Sequence, residues 1–416
     1  MQADARLPAD ANPARHDIVI VGGGLVGASL AIALDGLGLD VAMVEATPPG
    51  TLPPVFDERN LSFAAATVNA LTALGVMQKL PMPPAPIRRI HVSRSGDFGR
   101  VKLDAANYGR EAFGQVVVAS AFGDALEARL GELRNLTRYR PARFSGVDTA
   151  EGDHRTIRVE DVSSSRALRI EARLLVAADG TRSPVRDALG IANDEHDYAQ
   201  TLLIARVRAQ RAPDGTAYER FGNDGPTALL PRGDRHFGVI HGVPRSDADS
   251  VLASSDAEWL IRLQSAFGWR VGKLLSSGPR SAYPAIRVVA SQTTADRVVL
   301  IGNAAQTIHP IGAQGFNLGL RDALTLAELI EARGGDPGDA VLLAAYVERR
   351  REDRVRTLAF SDGLARITSN DAPLLRPLRS LGLLAADAVP SAQAMLVGGA
   401  MGYRADAPAL CREVAR

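Results

Sequence analysis

The sequence predicts an α/β fold: a parallel sheet covered by helices, interrupted by strand-rich insertions and followed by a helical tail. Three observations carry this reading. A β-branched strand, Asp17 to Val21, runs directly into a glycine turn and then an alanine-rich helix. Two more apolar strands, Leu174 to Ala178 and Arg297 to Ile301, each end in a polar turn. Between those two, residues 201–208 and 236–243 have strand character.

The first strand opens Gly22-Gly23-Gly24-Leu25-Val26-Gly27, followed by Ala28 to Leu34. This is G-x-G-x-x-G in its strand-turn-helix setting, a Rossmann-like nucleotide site. Gly22 permits the tight turn, Gly24 lets the backbone approach a pyrophosphate, and Gly27 allows close helix packing. The amides that open the helix, around Leu25 and Val26, offer positive potential. The second strand, Leu39 to Val44, ends at Glu45, about 20 residues after the glycines, where a carboxylate accepts from ribose hydroxyls. A dinucleotide without a 2′-phosphate is expected, and FAD and NAD both remain open on these residues alone.

Composition narrows the class. The chain has 416 residues, about half of them apolar, which suits two intertwined domains. Forty-eight basic residues face forty-seven acidic ones, so the broad positive field of a nucleic-acid binder is missing. Cys411 is the single cysteine, which excludes an intrachain disulfide, a cysteine-based metal site and a dithiol relay. No metal is expected. The apolar run Ile18 to Leu34 has the length of a signal-peptide core, but three glycines break it into a strand and a helix. No other stretch reaches membrane-spanning length. Residues 1–16, rich in Ala, Pro and Asp, are expected to be disordered.

The distal motifs are more specific. Asp179-Gly180 ends the Leu174 strand, and Gly302-Asn303-Ala304-Ala305 ends the Arg297 strand. The latter leads into Gln306-Thr307-Ile308-His309-Pro310-Ile311-Gly312-Ala313-Gln314-Gly315-Phe316-Asn317-Leu318-Gly319-Leu320-Arg321-Asp322. This stretch closely resembles the signature G-[DN]-A-A-x-x-x-x-P-x-x-x-Q-G-x-N-x-G-x-x-D of class A FAD-dependent aromatic monooxygenases, in particular the ubiquinone-biosynthesis hydroxylases of the 2-polyprenyl-6-methoxyphenol hydroxylase branch. Asp57-x-Arg59, Tyr198-x-Gln200, Glu219-Arg220-Phe221, Gly225 to Pro231 and Tyr346-x-x-x-Arg350-x-x-Asp353 also fall in family order. The resemblance therefore spans most of the chain.

The resemblance implies FAD as cofactor, NAD(P)H as transient reductant, O2 and a prenylated phenol as co-substrates, and hydroxylation through a flavin C4a-hydroperoxide. It implies a fold like that of p-hydroxybenzoate hydroxylase. Asp179 and Gly180 are implied to serve both FAD and NAD(P)H, Gly302 and Asn303 the ribityl chain, and Arg59, Gln115, Gln314 and Leu318 further cofactor contacts. Three positions depart from the family: Asn303 where the wider class has Asp, Ile311 to Gln314 where Ala-Gly is the commoner middle pair, and Gln115 where an aromatic is frequent. An asparagine carbonyl still accepts a hydroxyl hydrogen bond.

Pro310 to Gly315 reads as loop and Phe316-Asn317 as the start of a helix with Leu320, Ala323, Leu324, Ala327 and Ile330 on its apolar face. Backbone N–H groups at Gly315, Phe316 and Asn317 are expected to stabilise negative charge on the flavin. His309 has two readings, as an aid to phenol deprotonation or as a structural hydrogen-bonding group.

The expected division is a disordered 1–16, an FAD-binding domain at 17–80, 107–187 and 287–345, a substrate domain at 81–106 and 188–286, and a helical region at 346–416. The insertions are read as all strand-rich, with loops at Pro83 to Pro86 and Gly278-Pro279. Substrate is expected between that sheet and the flavin, with Tyr198, Leu203, Phe221, Leu230 and His241 as lining candidates. The Pro373 to Arg379 and Leu381 to Leu384 segments mix leucine with arginine, which suits either a membrane surface or a packed tail. The expected location is cytoplasmic, with peripheral contact at the inner face of the membrane or within a quinone-biosynthesis complex as the further option.

Competing classes are distinguishable. A flavin disulfide reductase needs a cysteine pair, and Trp259 and Trp269 do not form the W-x-W-x-I-P signature of a halogenase. A non-catalytic FAD-binding scaffold, or a hydroxylase of a small soluble aromatic, shares the cofactor motifs.

Overall fold

The computed structural model describes residues 13–309, 311–369, 376–403 and 406–412, with backbone alone at 365–369, 376–379, 386, 390, 392 and 395. Residues 1–12, Pro310 and the Pro373 to Leu375 segment lie outside them, as do the side chains of Arg376 to Arg379.

The first strand, Ala14–Val21, is the centre of an eight-stranded sheet. Ala167–Ala177 and Val41–Val44 flank it in parallel, with Val298–Leu300 and Leu136–Tyr139 outside those. Ile18 and Ile20 pack towards the helices, while Val19 and Val21 pack towards a hairpin, Ala142–Glu151 with His154–Asp161. Burial on both faces explains why this strand is apolar at every position from Ile18 to Val21. It starts three residues before Asp17, because Ala14, Arg15 and His16 pair with Ile170, Glu171 and Ala172. Residues 14–16 are therefore sheet, where disorder was expected.

A nine-stranded, mostly antiparallel sheet forms the second layer. Its backbone is Asn193–Ala209, flanked by Ser281–Ala290 and Phe237–Pro244, continuing through Pro226–Pro231, Thr216–Phe221, Arg89–Arg94 and Arg100–Asp104. A small third sheet joins Asn60–Ala64, Gly114–Val118 and Ala85–Pro86. Part of the expected Pro83 to Pro86 loop is thus a short strand.

The insertion is not wholly strand. Ala248–Ala253 and Asp256–Phe267 are helices, the second opened by a capping box between Ser255 and Glu258. Its Trp259, Leu263 and Phe267 cover the back of the large sheet. The helix expected from Phe316 begins two residues earlier and runs Gln314–Arg333, with Leu320, Ala323, Leu324, Ala327 and Ile330 all buried. It packs on Leu25–Ala33, where Gly319, Gly302 and Val26 meet too closely for larger side chains. The tail folds as helices Ala340–Ser369, Arg376–Ala388 and Pro390–Met401. The second of these lies on the edge strand Arg100–Asp104, with Asp387 accepting from the Lys102 amide.

Candidate active site

The glycine turn sits at the carboxyl ends of the parallel strands, the usual ligand crevice of such a sheet. Gly22 has φ +106°, and a Cβ there would lie 2.4 Å from the Ala178 carbonyl oxygen. A Cβ on Gly27 would lie 2.0 Å from the Gly22 carbonyl oxygen. Gly24 differs, since its nearest neighbour would be Val55 at 3.6 Å. The chain itself does not need a glycine there, whereas a group docking on the backbone does. The helix Leu25–Ala33 has no side-chain cap, so its first amides are free for an anion. Glu45 accepts from the amides of Gly23 and Thr47, both at 2.8 Å, and so fixes the turn.

Opposite, Asp179 accepts from the Val185 amide through one oxygen, and its other oxygen has no partner. Burial raises its carboxyl above the ordinary range against hydrogen bonds from Ser183 and Val185. Gly180 stands in open space with φ +90°. Thr181 and Thr307 join through their hydroxyls at 2.9 Å, tying this turn to the Gly302-Asn303 turn, where Asn303 is exposed. Behind that turn lies a buried ionic network. Asp322 accepts from the Gly302 amide, Gln306 and Arg350, while Asp353 receives Arg321 and Arg350.

Gln314–Arg333 packs against these turns through Gly319, which lies close to Gly302 and Val26. Gly312 and Ala313 both have positive φ, 74° and 50°, and no side chain caps the helix. The free amides are those of Gln314, Gly315 and Phe316, one position earlier than expected, because Asn317 already lies in the fourth helical position. The Asn317 side chain is fully engaged: Oδ1 accepts from the Ala64 amide and Thr67 hydroxyl, and Nδ2 donates to the carbonyls of Ser62 and Ala313. Phe316 packs with Phe63 and Phe122. Leu318 is buried, while Gln115 and Gln314 each keep a carbonyl oxygen without a partner.

Arg59 holds Asp57 through two side-chain hydrogen bonds and lies over the Tyr283 ring at 4.2 Å. Burial opposes ionisation of Asp57, but Arg59 and Tyr283 outweigh it and leave the carboxyl below its ordinary range. The pair joins the first layer to a strand of the large sheet, so it is not a loose surface pair.

Between the large sheet on one side and His309 and residues 311–317 on the other lies a cavity of about 140 Å3, close to the volume that holds one benzene ring. Ile87, Phe113, Leu202, Leu230 and Ile240 make its walls apolar. Of the five expected lining residues, Leu230 is on the wall. Phe221 and Tyr198 pack beneath Ile311 at its edge. Leu203 and His241 are turned away: both strands are buried on two faces, and alternation sends these residues towards Trp259 while Leu202 and Ile240 face the cavity.

His309 is also on the wall. Its Nδ1 accepts from the Ile311 amide at 3.2 Å, so in the neutral ring Nε2 carries the proton. Burial pushes its pKa down to about 4, which makes it a neutral donor near pH 7. Glu219, absent from the sequence-derived site, faces the same cavity. A glutamate in a strand suggests solvent, and only its apolar same-face neighbours Ala217 and Phe221 hint otherwise.

These features suit FAD. An open glycine and an unpartnered carboxylate oxygen lie at the uncapped start of one helix, and a second uncapped helix start opens on the cavity. The FAD binding domain family matches residues 15–361. The ubiquinone hydroxylase UbiL of Rhodospirillum rubrum is 33% identical over 93% of this chain and 89% of its own. The 3-demethoxyubiquinol 3-hydroxylase of Escherichia coli is 30% identical over 89% and 94%. In fold, the p-nitrophenol 4-monooxygenase PnpA of Pseudomonas putida superimposes with a TM-score of 0.77 over 94% of this chain and 100% of its own, at 19% identity. On sequence and fold together, the chain belongs to the FAD-dependent monooxygenase family that contains the ubiquinone hydroxylases.

Proposed function

We propose that the protein hydroxylates the aromatic ring of a polyprenyl phenol in ubiquinone biosynthesis, with FAD, NAD(P)H and O2. The ring-sized apolar cavity between the large sheet and the uncapped helix start carries this reading. FAD, when bound, supplies the electron transfer and oxygen activation. The residues of the chain bind and orient. Gly24, Glu45, Asp179 and Asn303 are assigned to the dinucleotide, with Arg59, Gln115 and Gln314 nearer the ring system. The amides of Gln314, Gly315 and Phe316 favour negative charge placed before them. Leu230, Ile240 and Phe113 exclude water, and His309 donates a hydrogen bond from Nε2.

We assign residues 17–80, 107–187 and 287–345 to cofactor binding and 81–106 and 188–286 to the substrate. The tail is assigned a peripheral membrane role, supported by exposed Leu381 and Leu384 on a helix whose Ser380 and Leu383 lie against Gly99, the neighbour of exposed Phe98. No described helix is long and apolar enough to cross a membrane.

The test is to purify the protein, record flavin absorbance, and follow NAD(P)H oxidation with and without a short-chain 2-prenyl-6-methoxyphenol. Substrate-stimulated oxidation with a product heavier by one oxygen is expected. Bound flavin without product from this phenol points to a scaffold or to a hydroxylase of another aromatic, and failure to bind FAD overturns the proposal.

A further inference from the structure

The cavity wall holds one carboxylate that the scheme above leaves idle. Glu219 is on the Thr216–Phe221 strand, whose alternation turns Ala217 and Glu219 to the cavity. Tyr218 and Arg220 go to the other face, where they meet Phe267. Among the described residues the Glu219 carboxyl has no hydrogen-bond or ion-pair partner. Protein encloses it, and what it is bared to is the cavity.

Resting on the hydroxylase reading, we propose that Glu219 is a catalytic residue that takes up the proton of the ring hydroxyl of the substrate. The substrate O–H bond breaks, an O–H bond forms on the carboxylate, and the electron pair stays on the ring oxygen. Delocalisation raises electron density at the ortho and para carbons, where the new oxygen is added. Glu219 then returns its proton to the original ring oxygen as the hydroxylated carbon loses its hydrogen to water as a proton. One oxygen atom of O2 forms the new C–O bond as the O–O bond breaks, and the other leaves as water with the two electrons supplied by NAD(P)H.

Burial alone raises the Glu219 carboxyl from 4.5 to about 7, so it exchanges protons near neutrality, the range suited to a general base. Among the described residues no charge on the adjoining elements offsets this. Val92 and Ala228 are its paired neighbours on the flanking strands, and Ile90, Pro226 and Leu230 share the wall. Arg94, one step along, is engaged with Asp97 and Asn223. On the loop side His309 is neutral, and the Tyr198 hydroxyl donates to Asp362. From the described part of the tail, Ala400 reaches the wall.

The experiment uses the FAD-loaded full chain as wild type, Glu219→Gln and Glu219→Asp, with a short-chain 2-prenyl-6-methoxyphenol and its O-methyl ether. Hydroxylated product should form about 100-fold more slowly in Glu219→Gln. The acidic limb of the wild-type pH profile near 7 should vanish, and Glu219→Asp should recover part of the rate. Equilibrium dialysis should show wild type favouring the phenol over its ether at least fivefold, and Glu219→Gln losing that preference. Melting temperature should rise in Glu219→Gln at pH 8 and match wild type at pH 5, since only an unpartnered buried acid gains from neutralisation. Wild-type turnover with an unchanged rate and pH limb in Glu219→Gln overturns the inference, as does equal loss of phenol and ether binding or a lower melting temperature at pH 8. A wild type that prefers the phenol yet forms no product overturns the hydroxylase reading instead.

Discussion

Gly24 and Gly27 lie three residues apart and answer to different constraints, which makes them a paired test of the cofactor crevice. Alanine at Gly27 drives a methyl into the Gly22 carbonyl, so the apoprotein should lose about 1–3 kcal/mol or more. Alanine at Gly24 meets nothing closer than 3.6 Å. Apoprotein stability should therefore hold while FAD affinity falls about tenfold, or about 1.4 kcal/mol, on flavin-fluorescence titration. A Gly24→Ala protein that binds FAD as wild type does removes the dinucleotide from that turn. A second residue-scale expectation concerns pH. Burial, with the nearby Arg262 charge adding to it, lowers His241 from 6.5 to about 4, so the folded protein refuses a proton that the unfolded chain accepts. Its share of stability is present above pH 6.5 and is lost as pH falls towards 4. Between pH 7.5 and pH 5, wild type should lose about 2 kcal/mol more than His241→Gln on urea unfolding, and parallel losses would sink the idea. The nucleotide turn was legible from sequence because its constraints are local: strand, glycines and Glu45 lie within thirty residues of chain. The Glu219 position was not, since its burial depends on a loop some ninety residues away.

At the scale of elements, the helix Gln314–Arg333 is held at both its start and its middle. Asn317 bridges its first turn to the Asn60–Ala64 strand, and Asp322 and Arg321 reach into the Ala340–Ser369 helix through Arg350 and Asp353. Arg350 is buried against both carboxylates, whose charges more than offset its loss of water and raise its pKa further. Removing one partner leaves a buried cation short of charge. Asp322→Ala should therefore lower stability by about 3–5 kcal/mol, read by denaturant midpoint. Because Asp322 also accepts from the Gly302 amide, flavin should be released below the unfolding temperature, visible as early loss of bound-flavin absorbance. Simultaneous flavin loss and unfolding would show that the turn does not depend on this carboxylate. The sequence suggested the helix and its apolar face, yet placed its start at Phe316. Gln314 and Gly315 follow two left-handed residues and look like loop, and nothing local reveals that the helix has already begun. The large sheet misled in another way. With the Asp256–Phe267 helix behind it and the cavity in front, both faces are buried, so apolar alternation could not tell Leu203 from Leu202 or His241 from Ile240.

For the whole molecule, a cavity sized for one ring raises the question of where the prenyl chain of the proposed substrate goes. Such a tail cannot be enclosed in about 140 Å3 beside its ring, so it has to leave along an apolar path or remain in lipid. Phe98 and Leu381 are 67% and 56% exposed, and the Gly99 backbone is pressed against Ser380 and Leu383, which brings the two exposed side chains into one region. Exposed apolar groups grouped in this way favour an interface over water. The protein should therefore float with anionic liposomes, and the double variant Phe98→Glu, Leu381→Glu should stay with the soluble fraction while retaining flavin. Both side chains are mostly in solvent, so the substitutions should leave the unfolding free energy within about 0.5 kcal/mol of wild type. Turnover separates access from chemistry. A water-soluble short-chain phenol should be hydroxylated by the variant at the wild-type rate, and only a long-chain phenol presented in vesicles should react more slowly. Equal rates on the vesicle-borne substrate, or a wild type that remains soluble with and without lipid, would count against a membrane-facing tail and leave a packed helical cap as its role.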